Sequence, residues 1–153
     1  MRHKQSPLRK EKMMSSLSGS NSTITPGLLY HDAANAIEWL CRVFGFTKRL
    51  VVPGEDGTIA HAHLAFGNGG IMLGSAERYA FPEMCKSPRE VGGVGTAEII
   101  VFVADADAHF KRSLTEGAEI LIPIENKPYG GRGYACKDLE GHVWAFGNYD
   151  AWA

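Results

Sequence analysis

Apolar residues recur along this chain with two different periods, and the period changes at fixed places. A short apolar run over residues 24–30 ends at His31-Asp32, and Ile37, Leu40, Cys41 and Phe44 then follow at helical spacing. Asp32 stands where a helix needs an N-cap, because its carboxylate can accept from the free amides of the first turn. Gly45 stops the helix, as a residue tolerant of left-handed backbone should. Residues 47–52 read as a strand, Pro53-Gly54-Glu55-Asp56-Gly57 as a turn, and residues 58–66 as a second strand. Gly67-Asn68-Gly69-Gly70 is another turn, followed by a short strand over residues 71–74.

The same order then returns. Residues 96–103 form an apolar strand ending at Asp105, again a candidate N-cap. Phe110 and Leu114 lie one helical turn apart, and Gly117 ends the helix. Strands are predicted over residues 118–124, 132–137 and 142–147, with a loop at 126–131 and a tight turn at Asp138-Leu139-Glu140-Gly141. Asp32 matches Asp105, Gly45 matches Gly117 and Gly70 matches Gly141, at offsets of 73, 72 and 71 residues. Near-constant spacing of caps and turns is the mark of a duplicated unit.

Each unit is a strand, a helix and three strands, so one helix covers one face of a four-stranded sheet and leaves the other bare. Pairing two such units lets the bare faces curl around a shared cavity. The predicted class is α+β: two βαβββ modules forming an open, barrel-like arrangement of eight strands. The first module spans residues 23–75 and the second 97–150. The segment between them, 76–96, carries Pro82, Pro88, Gly92, Gly93 and Gly95 without a clear period and reads as a linker loop. Its Tyr79, Phe81 and Met84 are placed to fold over a pocket, and a loop this long inside a compact domain is often functional.

Composition narrows the classes. With 153 residues and 44% hydrophobic content, the chain can bury one sizeable core. A net charge of −1 gives no whole-chain pull toward nucleic acid or acidic lipid. No apolar run approaches the roughly 18–20 residues of a membrane span. Cys41, Cys85 and Cys136 are far apart and odd in number, which fits free thiols in a reducing cytoplasm rather than disulfides or a zinc site. Residues 1–22 differ from the rest: basic residues outnumber a single Glu11, and a Ser/Gly/Asn stretch follows. Such a segment cannot bury apolar surface and reads as a flexible tail, or else translation begins at Met13 or Met14. It lacks the apolar stretch of a secretion signal.

Three stretches carry a resemblance: LLYHDAANAIEWLCRVFGF, IAHAHLAFGNGGIML and YGGRGYACKDLEGHVWAFGNY. In that order and with those gaps the chain resembles the vicinal oxygen chelate superfamily, which includes glyoxalase I, bleomycin-resistance proteins and extradiol dioxygenases. The resemblance covers about residues 24–149. It implies paired βαβββ modules around a cavity and commonly a homodimer. In the metal-dependent members the ligands come from the first and last strands of each module. Carried over, those positions are Thr25, Leu73 or Gly74, Glu98 and Ala145. Of these only Glu98 is a competent ligand, and one carboxylate does not hold a divalent metal tightly.

Other residues supply candidate chemistry. His61-Ala62-His63 places two imidazoles on one strand face, opposite the parity of Leu64 and Phe66. With Glu98 they would make a two-histidine, one-carboxylate set suited to iron, nickel, manganese or zinc. The competing reading is that they are polar pocket liners or surface histidines. Glu98, in the apolar run Glu98-Ile99-Ile100-Val101-Phe102-Val103, is a candidate general base or a solvated strand-end carboxylate. Arg132 could hold a ligand carboxylate or phosphate, or pair with Glu125 or Asp138. Phe102 is a candidate ligand contact, and Tyr134 a phenol or stacking face for the ligand or else a core residue. Trp144 and Phe146 share a parity that sends them into the core, Trp39 is core or dimer contact, and His142 is structural. No nucleophile triad is visible.

The leading expectation is therefore a glyoxalase-like pocket binding a small organic molecule without a tightly held metal or other cofactor, oriented by His61, His63, Glu98 and Arg132. The alternative is a metal-dependent lyase, isomerase or dioxygenase using His61, His63 and Glu98. A third is a scaffold whose partner is another protein.

Overall fold

A computed structural model describes residues 21–153. The tail expected over residues 1–22, with its alternative starts, lies outside the described residues except for its last two. The first module runs β1 (Gly27–Tyr30), α1 (Ala33–Phe44), β2 (Thr47–Pro53), β3 (Ile59–Phe66) and β4 (Gly69–Ser75). The second runs β5 (Glu98–Phe102), α2 (Ala106–Thr115), β6 (Glu119–Asn126), β7 (Arg132–Lys137) and β8 (Val143–Gly147). The sheet orders are β1-β4-β3-β2 and β5-β8-β7-β6, and in each the first strand lies parallel to the last. These are the two βαβββ modules expected. Their sheets are not joined by strand pairing and do not close.

The caps form as the chain pattern requires. Asp32 accepts from the Asn35 amide at 3.1 Å, and Asp105 accepts from the Ala108 amide at 2.9 Å. Gly45 and Gly117 both adopt positive φ, at 89° and 100°. At Gly45 a side chain would also meet Arg112, whose Nη1 lies 3.0 Å from where a Cβ would stand. The segment between modules is not a structureless loop: it holds two short 3-10 turns, Ala76–Arg78 and Pro88–Val91.

One contiguous core joins the modules through their helix-bearing faces. Phe44, at the end of α1, packs 5.3 Å from Trp144 and 4.7 Å from Phe146, ring centre to ring centre. Phe46 adds a contact to Trp144 at 5.7 Å. Trp39 is buried and packs edge-on against Phe44, so it is core. α2 differs from expectation: Phe110 packs on the core, but Leu114 is exposed, and the inward face is Ala106, His109, Phe110 and Ser113. Two polar groups are tolerated there because each is hydrogen-bonded.

The second module also holds both ends of α1. Glu140, 4% exposed, accepts from the amides of His31 and Asp32 just ahead of the helix, at 2.6 and 2.8 Å. At the other end, Arg112 donates to the carbonyls of Cys41 and Arg42 at 2.9–3.2 Å. Negative charge at the start and positive charge at the end both complement the helix dipole and satisfy groups that the helix leaves free. Asp138 is buried beside Glu140. It accepts from the Tyr30 hydroxyl, the Trp144 indole and the amides of Glu140, Gly141 and His142. His142 bonds the Leu29 carbonyl through Nε2 at 2.9 Å, which makes it structural as its position suggested.

Because the helix sides face inward, the bare sheet faces point outward. Each face carries its own hollow, that of the first sheet completed by the intermodule segment and that of the second lined by the second module and its C-terminal end, while a further hollow of about 510 Å³ lies between the modules, bordered by Phe66 and Gly70 on one side and Ile100 and Phe102 on the other.

Candidate functional site

On the first sheet, Ala62 and Leu64 turn into the core, so His61 and His63 emerge on the open face, as their parity required. They stand among exposed or half-buried Leu50, Val52 and Met72. The His63 Nε2 lies 3.1 Å from where a Gly70 side chain would begin, so the glycine leaves room for the ring. His61 borders a hollow of about 300 Å³ with Met72, Gly74, Arg78, Tyr79 and Cys85. Tyr79 thus comes from the intermodule segment to the edge of this hollow, and Met84 to the edge of another beside Leu28 and His142; both stay exposed, as does Phe81.

The open face of the second sheet has a different character. Tyr134, Cys136, Trp144 and Phe146 turn to the core, so Gly133, Ala135, Ala145 and Gly147, which alternate with them, take the other face and line its hollow, Gly133 and Ala135 being themselves buried at its floor. Gly133 stands opposite Gly147, and Ala135 opposite Ala145. The strands approach closely: a Cβ on Gly133 would lie 2.9 Å from the Phe146 carbonyl oxygen. The result is a floor nearly without side chains. Ile100 and Phe102 rise from one flanking strand and Ile122 from the other, 75%, 54% and 43% exposed. They bound a hollow of about 410 Å³ that also touches Glu98, Lys127, Tyr129, Arg132 and Tyr149.

Four sequence candidates meet at this hollow in different ways. Phe102 is an open apolar wall. Glu98 is an exposed carboxylate at one end, not enclosed among apolar side chains. Arg132 grips the chain's own Asp107 with two hydrogen bonds of 2.9 and 3.0 Å and Asn126 with a third of 2.8 Å. Its partner is thus neither Glu125 nor Asp138, and its carboxylate-holding geometry is already occupied. Tyr134 takes the core alternative and does not offer its phenol on the open face. Its register opposite Phe146 sends the ring to the helix side, where the hydroxyl lies 2.7 Å from both Ser113 Oγ and His109 Nδ1.

His109 was not singled out by sequence, since one histidine on a helix gives no signal. Its Nε2 lies 2.8 Å from the Phe44 carbonyl, which can only accept, so the neutral ring carries its proton on Nε2. Nδ1 then accepts from Tyr134. Burial pushes its pKa below the usual histidine range, against the Phe44 hydrogen bond and with help from Arg112. An unfolded histidine titrates near about pH 6.5, so below that value the unfolded chain binds the proton more readily and stability falls as pH drops toward the folded pKa. The urea midpoint is expected to decrease from pH 7.5 to 5.5, and His109→Gln to flatten that decrease; a variant that retains it in full would clear His109 of the effect.

The residues do not fit a metal centre within one chain. Among the described residues no three His, Cys, Asp or Glu side chains are grouped to hold an ion. His61 and His63 lie on the first sheet and Glu98 on the second, so the proposed set is not brought together. At the inherited ligand positions Leu73 is core and Gly74 and Ala145 carry no donor. The thiols are no better poised for chemistry: burial pushes Cys136 up to about 12 and raises Cys41.

Comparison with known proteins decides the family. The profile for the Glyoxalase/Bleomycin resistance protein/Dioxygenase superfamily matches residues 24–146. The chain belongs to this superfamily. Among solved structures, TioX from Micromonospora sp. ML1 is 38% identical with a TM-score of 0.68, covering 85% of this chain and all of that one. An uncharacterized Mycobacterium tuberculosis protein, Rv0887c, is 33% identical over 128 residues, 81% of this chain and 72% of its own length. The fosfomycin resistance protein FosX from Mesorhizobium loti shares 13% identity over 85% of this chain and 93% of its own, with a TM-score of 0.59, and is alike in fold. The superfamily match and the modules agree on architecture; the donor set described above is this chain's own.

Proposed function

We propose that this protein binds a small, aromatic or amphipathic organic molecule against the open face of its second sheet, without a tightly held metal, and that two copies pair to close the site. The observation that carries this reading is the bare floor of Gly133, Ala135, Ala145 and Gly147 between the exposed walls Ile100, Phe102 and Ile122. Apolar walls around a floor without side chains suit a flat ligand, and affinity there comes from buried apolar area. The homodimer is supported by the outward faces of both sheets, where Leu50, Val52, Met72, Ile100, Phe102 and Ile122 are all exposed. Monomers rarely leave such patches uncovered. The three free cysteines support a cytoplasmic setting. Sequestration of the ligand, rather than its conversion, is the simplest activity for a site whose Arg132 is already engaged and whose Tyr134 faces the core.

Nile red, a neutral fused-ring dye that fluoresces when desolvated, tests the site directly. Saturable binding is expected, and Ala145→Leu, which fills the floor from the open side, should weaken it at least tenfold. Binding that is unsaturable or indifferent to Ala145→Leu would overturn the reading. Sedimentation velocity should give a dimer; a monomer at all concentrations would overturn the pairing. Stoichiometric metal in protein purified without a metal-affinity step, lost in His61→Ala, would instead support the lyase, isomerase or dioxygenase reading with His61, His63 and Glu98 meeting across two copies.

A further inference from the structure

Resting on the binding site just described, we infer that its ligand is a flat aromatic cation, with Glu98 as the residue that selects its charge. Three charged side chains border the hollow of the second sheet: Glu98, Lys127 and Arg132. Two are neutralised by the chain itself. Lys127 donates to Glu125 at 2.8 Å, and Arg132 is locked on Asp107 and Asn126. Glu98 makes no side-chain hydrogen bond or ion pair among the described residues, and it is exposed. The site's unspent charge is therefore one carboxylate.

The geometry sets where that charge acts. Glu98, Ile100 and Phe102 lie on the same side of β5, so Glu98 and Phe102 mark the two ends of one wall. At about 3.3 Å per residue they stand about 13 Å apart. Ile100 and Ile122 face each other across the two central strands, about 14 Å at the usual strand spacing. A fused-ring system fits this floor. Tyr129 and Tyr149, packed edge-on at 5.2 Å, stand with Phe102 at the far end and offer aromatic faces. Only the Glu98 end offers an unpaired charge. A ligand that covers the floor strips water from that carboxylate, and a buried charge left without a partner is costly. An occupant with a protonated nitrogen at that end removes the cost, while its ring system can stack on the aromatic side chains at the other. A neutral ring gains the floor but not the carboxylate. An anion meets repulsion.

The test compares 9-aminoacridine, a cation at pH 7.5, with neutral acridine and anionic acridine-9-carboxylate by fluorescence titration of the full chain. The cation is expected to bind at least tenfold more tightly than acridine, with a preference that shrinks as salt rises. Glu98→Gln should bring the cation to the level of acridine while changing acridine less than twofold. Equal binding of cation and neutral probe to the unaltered chain would overturn the inference while leaving the site itself standing. So would a Glu98→Gln variant that weakens both probes alike, or one that dissociates into monomers, which would assign the carboxylate to subunit contact. If Nile red binds but no acridine does, the charge and shape class are wrong. If neither dye family binds, the site falls and the inference with it.

Discussion

Asp138→Ala is expected to cost about 3–5 kcal/mol of folding stability, because it removes the acceptor of five donors at once, of which only the Gly141 amide keeps another, the Asp138 carbonyl. The Tyr30 hydroxyl sits 2.6 Å from one carboxylate oxygen and the Trp144 indole 3.1 Å from the same oxygen. The other oxygen receives three consecutive amides at 3.0–3.1 Å. Tyr30 and Trp144 are fully buried and belong to different modules, so the loss strikes the joint between them. Burial, reinforced by the Asp138 carboxylate beside it, pushes the Tyr30 phenol well above its usual range, so it remains a donor. Urea unfolding followed by tryptophan fluorescence measures the cost. Asp138→Asn keeps an acceptor for the amides and should lose less; an alanine variant within about 1 kcal/mol of the original would mean that water replaces the carboxylate.

Phe44→Ala is expected to cost about 3–5 kcal/mol through cavity formation. Phe44 is fully buried and touches Trp39, Trp144, Phe146 and His109, with ring centres 4.7–6.2 Å away. It comes from the first module, and three of those four partners come from the second, so its removal opens a void in the seam where neither sheet can collapse alone. For a domain with typical stability of 5–15 kcal/mol, either substitution consumes a large share. Phe44→Leu should recover roughly half of the loss in the same urea titration; no difference between leucine and alanine would argue that packing there is loose.

The modules were legible because local rules specify them. Asp32, Gly45, Asp105 and Gly117 are capping and stop signals whose action needs only neighbours in sequence. Parity alone put His61 and His63 on the open face and Trp144 and Phe146 in the core. Tyr134 was recoverable by the same logic, since it pairs with Phe146 across one turn and must share its side. Which way the bare faces point was not recoverable. That depends on Phe44 meeting Trp144, a contact 100 residues apart in the chain, and nothing periodic encodes it. The buried carboxylates of Asp138 and Glu140 were also hidden, because charged residues in a tight turn ordinarily face water. So was the commitment of Arg132 to Asp107, which joins the first turn of α2 to the start of β7.

The two halves arose from one pattern, yet they are no longer interchangeable. Carried back by the 71-residue offset of the turn glycines, Asp138 and Glu140 fall on Gly67 and Gly69, and by the 73-residue offset of the caps Arg112 falls on Trp39. The clamp on the ends of α1 therefore runs in one direction, from second half to first, with no return grip from the corresponding positions. A tandem of two first halves would have a helix to be held and nothing to hold it, whereas two second halves would have clamps without the helix ends that fit them. One repeated pattern thus carries a lock in its second half and the key in its first, on a single thread.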